Sequence, residues 1–259
     1  MGSRKGKARA PQGPMPLEER CGVPEEIPPE LAKNLASYNN AGAVAEFSVY
    51  KLYPEEEYLF PKCYKAGESI LDLACGMGRT TLLLHEMGLK VRGVDRSEIF
   101  IDIARRRLPY LDLHVGSYDH IEEEDSSFAH ILISFNGIDC AYPAVQRAAA
   151  LRECARVLKP GGTFIYSSHN LKSLHWISPY YRGRLRWKLR NSAKAFKEWA
   201  YVLEEDEYLF YASPDFVVRQ TESFGLRLLE RKGFSRFSNE RVDTYFSPYV
   251  HYAFTKPAD

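Results

Sequence analysis

Between Ser69 and Ser167, five short apolar runs alternate with helical stretches, and this alternation restricts the fold more than any other feature of the chain. The runs are Ser69–Leu73, Lys90–Val94, Leu111–Val115, His130–Phe135 and Gly162–Ser167. Helical periodicity covers Arg79–Met87, Ser97–Arg107 and Ala144–Leu158. Short apolar strands separated by helices imply a parallel sheet covered on both faces, with right-handed crossovers. The last part departs from this. After a helix near Pro214–Phe224, the runs Leu226–Arg231 and Tyr249–Thr255 are joined by a polar stretch in which no helix is expected. Strands joined by a loop pair antiparallel most easily. The expectation is a doubly wound α/β fold with seven strands, mostly parallel, closed by an antiparallel last strand.

Composition bounds the function. With 45% hydrophobic and 27% charged residues, the 259-residue chain can bury a core. It has no apolar run of about 18 residues, so no transmembrane helix is expected. The basic N-terminus lacks the apolar segment of a secretory signal. Five dispersed cysteines without a Cys-x-x-Cys pair suit a reducing compartment and offer no zinc site. A cytoplasmic, metal-free protein is expected. Thirty-five basic against 34 acidic side chains argue against a nonspecific nucleic-acid coat. Oligomeric state is not legible.

The expected organisation is a disordered tail (1–30), holding six of the 15 prolines, and an N-terminal helical segment (31–67). A nucleoside-binding core (68–170) follows, then an insert (171–212) and the C-terminal part of the core sheet (213–259).

The chemistry starts at Leu71-Asp72-Leu-Ala74-Cys-Gly76-Met-Gly78, between the first strand and the first helix of the core. Glycines there let the backbone turn sharply and approach a ligand. Asp95, at the tip of the second strand, is placed to accept hydrogen bonds from ribose hydroxyls. A dinucleotide fingerprint wants a third glycine where Thr81 stands, and Asp72 would repel a pyrophosphate. An acid before the turn instead suits a ligand carrying an ammonium group, such as S-adenosylmethionine.

These residues resemble the first motif of class I S-adenosylmethionine-dependent methyltransferases. Val94-Asp95-Arg96-Ser97 resembles their second motif, and Arg156–Gly162 the turn into their fifth strand. The resemblance covers roughly 68–170 and 213–256, and it fits the small-molecule type of the family. It implies a Rossmann-like fold with S-adenosylmethionine as cofactor. Asp72, Ala74, Gly76 and Gly78 would then wrap the methionyl end. Asp95 would hold the ribose, and Arg96 would flank the adenine. Where the family has Gly-Asp after the third strand, this chain has Gly116-Ser117-Tyr118. Ser117 is the weaker acceptor, Asp119 a substitute, and the Tyr118 backbone a partner for the ring. Phe135 is assigned to the cofactor side as well.

The acceptor should lie beyond the ends of the fourth and fifth strands, Ser134–Asp139 and Ser167–Asn170. His169 is the candidate general base, and Asn136 and Asp139 are candidates to hold an acceptor amine or hydroxyl. Asn136 lacks the Pro-Pro-aromatic continuation of base-modifying methyltransferases. His114 and His130 read as structural.

The insert holds all three tryptophans, and Leu185, Leu189, Phe196 and Leu203 recur at near-helical spacing. It reads as a partly helical, aromatic lid over the acceptor site. Residues 171–197 carry eight basic side chains and no acid, and the tail adds Arg4, Lys5, Lys7 and Arg9. The near-zero net charge is thus a cancellation between an acidic body and two basic segments, and the lid suits an anionic acceptor. The function expected is methyl transfer to N or O of a small molecule, such as a sugar or natural-product intermediate with an anionic group. The alternatives are an RNA methyltransferase and a noncatalytic S-adenosylmethionine-binding module. No membrane partner is expected.

Overall fold

The computed structural model describes residues 50–174, 198–204, 207–233 and 240–258. The tail, the segment before Tyr50 and the basic stretch 175–197, with the helix expected there, lie outside the described residues.

Helix α1 (Pro54–Cys63) precedes the core. Then come β1 (Ser69–Leu73), α2 (Arg79–Glu86), β2 (Lys90–Asp95), α3 (Glu98–Arg107), β3 (Asp112–Val115) and β4 (Phe128–Ile133). A 3-10 turn (Gly137–Cys140) and α4 (Ala144–Val157) lead to the long strand β5 (Leu158–Asn170). The rest is β6 (Trp199–Glu204), β7 (Glu207–Ala212), α5 (Pro214–Glu222), β8 (Arg227–Gly233), α6 (Glu240–Phe246) and β9 (Tyr249–Thr255). Ser97 and Ser213 cap α3 and α5, accepting from the amides of Phe100 and Phe216 at 3.2 Å.

All the described strands join one sheet of nine. The first five elements of the sequence reading pair in parallel as β3-β2-β1-β4-β5. β9 pairs antiparallel with both β5 and β8, which is the expected antiparallel closure. Alternate residues of the central strands enter separate cores. Ile70, Leu132, Ile165 and Ala253 pack with Leu59 and Phe60 of α1 and Leu84 of α2. Leu71, Ile131, Phe164 and Phe254 pack with Leu151 of α4 and Val217 of α5. Burial on both faces is why these strands read as apolar runs. Each such leucine, isoleucine, valine or phenylalanine contributes about 1.5–3 kcal/mol of burial free energy.

Two features differ from expectation. The described end of the insert is a β-hairpin, not helix, and it adds two strands to the seven. Leu203, counted in the helical spacing, lies in β6. The aromatic-rich runs Trp199–Leu203 and Tyr208–Tyr211 favour strand over helix. The polar stretch before β9 contains α6. That helix has seven residues, too few to show a period. Asn170 Nδ2 ties down its end, donating to the carbonyls of Thr244 (2.7 Å) and Ser247 (2.9 Å).

Candidate functional site

A cavity of about 660 Å3 opens at the carboxyl ends of the parallel strands, in the size range of small-molecule sites. Its walls come from successive strand ends: Ala74–Met77 after β1, Asp95–Ser97 at β2, Gly116–Tyr118 after β3, Ser134–Gly137 after β4 and His169 on β5. Lys51–Pro54, leading into α1, close a further side, with Leu209 of β7 and Tyr249 of β9.

The turn after β1 needs its glycines. Gly76 and Gly78 hold φ values of +56° and +84°, a region that side chains disfavour. Asp95 fastens this turn to β2. Its Oδ2 accepts from the Gly76 amide and its Oδ1 from the Ser97 amide, both at 2.8 Å. Burial raises its carboxyl above the ordinary range, against those hydrogen bonds. Arg96 lies 5.7 Å from the ring centre of Tyr118. The Ser117 hydroxyl donates to Asp119, which brings a carboxylate beside the wall at the position where the motif has lost one.

Asp72 sits one layer beneath the wall and is fully buried. Its Oδ2 accepts from Thr80 (2.8 Å) and Thr81 (2.7 Å), and its Oδ1 has no partner. Burial pushes its carboxyl up to about 6, although the two threonine hydroxyls lower it.

An ion pair that the sequence reading missed closes the α1 side. Glu56 is fully buried and grips Arg79 through both oxygens, at 2.7 and 2.8 Å. The same carboxylate takes the Ser134 hydroxyl and the Tyr53 amide. Burial pushes the Glu56 carboxyl up, and Arg79 outweighs it, holding the group below its ordinary range. Arg79 also donates to the Lys51 carbonyl at 2.7 Å, and Tyr53 stacks on Phe135, ring centres 5.5 Å apart. One signal was present: Arg79 opens a helix, where the macrodipole disfavours a cation. Its buried partner lay outside any motif.

The opposite side carries the candidate base. β7 pairs with β5 only at His169 and Asn170, and β9 pairs with His169 from the other edge. The imidazole therefore lies between Tyr211 (centroids 4.5 Å) and Tyr249 (5.8 Å). Its Nδ1 lies 2.8 Å from Asp139 Oδ2. An ionised carboxylate only accepts, so Nδ1 carries the proton, and in the neutral ring Nε2 is the acceptor. Asp139 is fully buried and does not line the cavity. It also accepts from the His169 amide (2.7 Å), Ser168 Oγ (2.7 Å) and Arg147 Nη1 (2.8 Å). Asn136 lines the cavity in a left-handed conformation (φ +57°), its amide donating to Ser167 Oγ at 2.8 Å. Its Oδ1 is buried without a partner.

Of the candidates from the sequence, Ala74, Gly76, Asp95, Arg96, Ser117, Tyr118, Phe135, Asn136 and His169 share the cavity wall. Asp72, Gly78 and Asp139 stand behind it. Asp139, expected to hold the acceptor, grips the candidate base instead, because the 3-10 turn folds its side chain inward beside Ser168. Among the described residues no cluster of His, Cys, Asp and Glu suits a metal, and no helix is long and apolar enough to cross a membrane.

A family model described as a methyltransferase domain matches residues 70–162. The ubiquinone/menaquinone biosynthesis C-methyltransferase of Rubrivivax gelatinosus is 31% identical over 147 residues, which are 56% of this chain and 56% of that protein. The chain thus spans little more than half the length of this relative. A methyltransferase structure from Methanosarcina mazei superposes with TM-score 0.62 at 18% identity, covering 81% of this chain and all of that one. A glycopeptide N-methyltransferase solved with S-adenosylmethionine has TM-score 0.54 at 18% identity, covering 78% and 86%. These two structures share the fold. The site suits the same cofactor. The orphaned Asp72 Oδ1 beneath a glycine turn matches an ammonium group, and Asp95 at the tip of β2 matches a ribose. Motifs, strand order and the match agree: residues 70–162 are similar to a methyltransferase domain, on a fold shared with S-adenosylmethionine-dependent methyltransferases.

Proposed function

We propose that this chain methylates a small molecule at a protic N or O, with His169 as general base. The observation that carries this is the imidazole itself. Nδ1 lies 2.8 Å from Asp139 Oδ2, which in the neutral ring leaves Nε2 as the acceptor, and His169 lies on the wall of the cavity. Asp72, Ala74, Gly76 and Gly78 would hold the methionyl end of the cofactor, Asp95 the ribose, and Arg96, Ser117, Tyr118 and Phe135 the adenine side. When bound, the cofactor supplies an electrophilic methyl group on a sulfonium. The chain's part is positioning and proton removal. His169 Nε2 takes the proton of the acceptor as its lone pair turns to the methyl carbon, which contributes typically 100- to 10,000-fold. Asn136 Oδ1 accepts a hydrogen bond from the acceptor and aims it. The basic stretch 171–197 supports an acceptor with an anionic group.

A second reading is favoured by the identity to the quinone C-methyltransferase. Deprotonating a phenol makes its ortho carbon nucleophilic as well as its oxygen, so the same base serves methylation at carbon. The deciding experiment incubates the protein with methyl-labelled S-adenosylmethionine and a cell extract, split into small-molecule and RNA fractions. Label in the small-molecule fraction, lost in His169→Gln, is expected. Label confined to RNA, or wild-type labelling by His169→Gln, overturns the proposal. Mass spectrometry of the labelled product separates N-, O- and C-methylation.

A further inference from the structure

Behind the Asp139–His169 pair lies a buried cation that neither the motifs nor the reaction require. Arg147, on α4, has no exposed surface. Its Nη1 donates to Asp139 Oδ1 (2.8 Å) and to the Ile138 carbonyl (3.1 Å), and its Nε to Gln220 of α5 (3.1 Å). The face of the guanidinium lies 4.1 Å from the ring centre of Phe210, on β7. An arginine so placed is costly to desolvate, and its Nη2 finds no hydrogen bond. Packing alone would be served by an apolar side chain of similar volume.

We infer that Arg147 is a positioning residue for methyl transfer, which neutralises Asp139 so that His169 enters the reaction as a free base. The inference rests on the reading of His169 as the base. Its argument is charge compensation in a buried row of three groups. With Arg147 present, the carboxylate has its counter-ion, and the imidazole need only donate one hydrogen bond. With Arg147 removed, the one group left that can become cationic among the described hydrogen-bond partners of Asp139 is the imidazole. His169 would then hold a proton on both nitrogens and could accept none. Around the imidazole, among the described residues, the charged and titratable groups are Asp139 from the 3-10 turn, Arg147 from α4, Tyr211 from β7 and Tyr249 from β9. Arg147 supplies the cation in this set. Through Phe210 the same guanidinium contacts the hairpin strand whose Tyr211 pairs with His169, so the charge and the wall of the base pocket are placed together.

The test uses the full chain and needs no knowledge of the acceptor. Nitrogen-15 histidine spectra at pH 7 report the protonation of His169, assigned with His169→Gln. In the wild type we expect a neutral ring with the proton on Nδ1. In Arg147→Met we expect both nitrogens protonated, with labelling of the extract's small-molecule fraction reduced at least tenfold at pH 7 and recovering toward pH 9. In Arg147→Lys, which keeps the charge, the neutral ring should persist and labelling should fall less than tenfold. If Arg147→Met does not fold, Arg147→Lys carries the test. A neutral Nδ1–H ring in Arg147→Met, or an imidazolium in Arg147→Lys, overturns the inference. Wild-type labelling by His169→Gln would instead overturn the assignment of the base, so the two failures are distinguishable.

Discussion

Asp139 accepts four hydrogen bonds, and two of them come from a single residue, His169, through its amide and its ring Nδ1. The carboxylate thus fixes both the position of the backbone at the end of β5 and the tautomer of the imidazole. Asp139→Asn keeps the volume but presents a donor toward Nδ1 in one of its two orientations. We expect labelling to fall 100-fold or more in Asp139→Asn, with cofactor affinity within twofold of wild type by calorimetry. Retention of normal turnover would separate the pair from the reaction.

Asn136 predicts a different signature. Its Oδ1 is buried without a partner, and under the proposed function it pairs with the acceptor, so its loss should be felt in acceptor binding. Leaving such a group unmatched costs about 1–3 kcal/mol. Asn136→Ala should raise the acceptor KM by roughly tenfold while kcat changes little, as read by steady-state kinetics on the identified acceptor.

Asp72 and His251 should give opposite pH dependences of stability. The Asp72 carboxyl, raised to about 6 by burial, binds its proton more tightly folded than unfolded. Its contribution is fully present at acid pH and is lost as pH rises through the window from about 4 to 6. His251 is buried on β9, with neither ring nitrogen hydrogen-bonded. Burial lowers it to about 4, with Glu56 opposing. It is held neutral in the fold, so stability is lost as pH falls from about 6.5 to 4. Each shift corresponds to about 3 kcal/mol in order of magnitude. Urea melts across pH 4–8 should show Asp72→Asn more stable at pH 7 by a kcal/mol or more, yet weaker for cofactor. His251→Phe should lose the acid-side decline. Parallel curves for both variants and the wild type would contradict this.

The Glu56–Arg79 pair ties α1 to the cofactor turn. Removing one partner from a buried pair strands the other charge, at about 3–5 kcal/mol. Glu56→Gln should therefore lower the melting temperature by roughly 5–15 °C, given the usual dependence of melting temperature on stability. It should also weaken cofactor binding, since Lys51–Pro54 wall the same cavity.

The parallel core was legible because its strands are buried on both faces and read as apolar runs, and because Gly76, Gly78 and Asp95 mark fixed points of one motif. His169 was legible as a polar residue at a strand end. Its partnership with Asp139 was not, because the two are 30 residues apart and meet only through the inward fold of a four-residue turn. Glu56 and Arg147 were hidden for a related reason. A charge on a helix reads as solvent-facing until tertiary packing supplies its partner. The hairpin β6–β7 was not legible because the near-helical spacing of Leu185, Leu189 and Phe196 continues to Leu203, which lies in β6.

His169 is the one residue of β5 that has strand neighbours from β7 and β9 at once. The candidate base is thus held from both sides, by β9 of the core sheet and by β7 of the hairpin. Transplanting a hairpin from a relative would also loosen the His169 ring. Redesign of the cavity should therefore begin at Leu209 and the Lys51–Tyr53 rim, where the wall can change without unpinning His169.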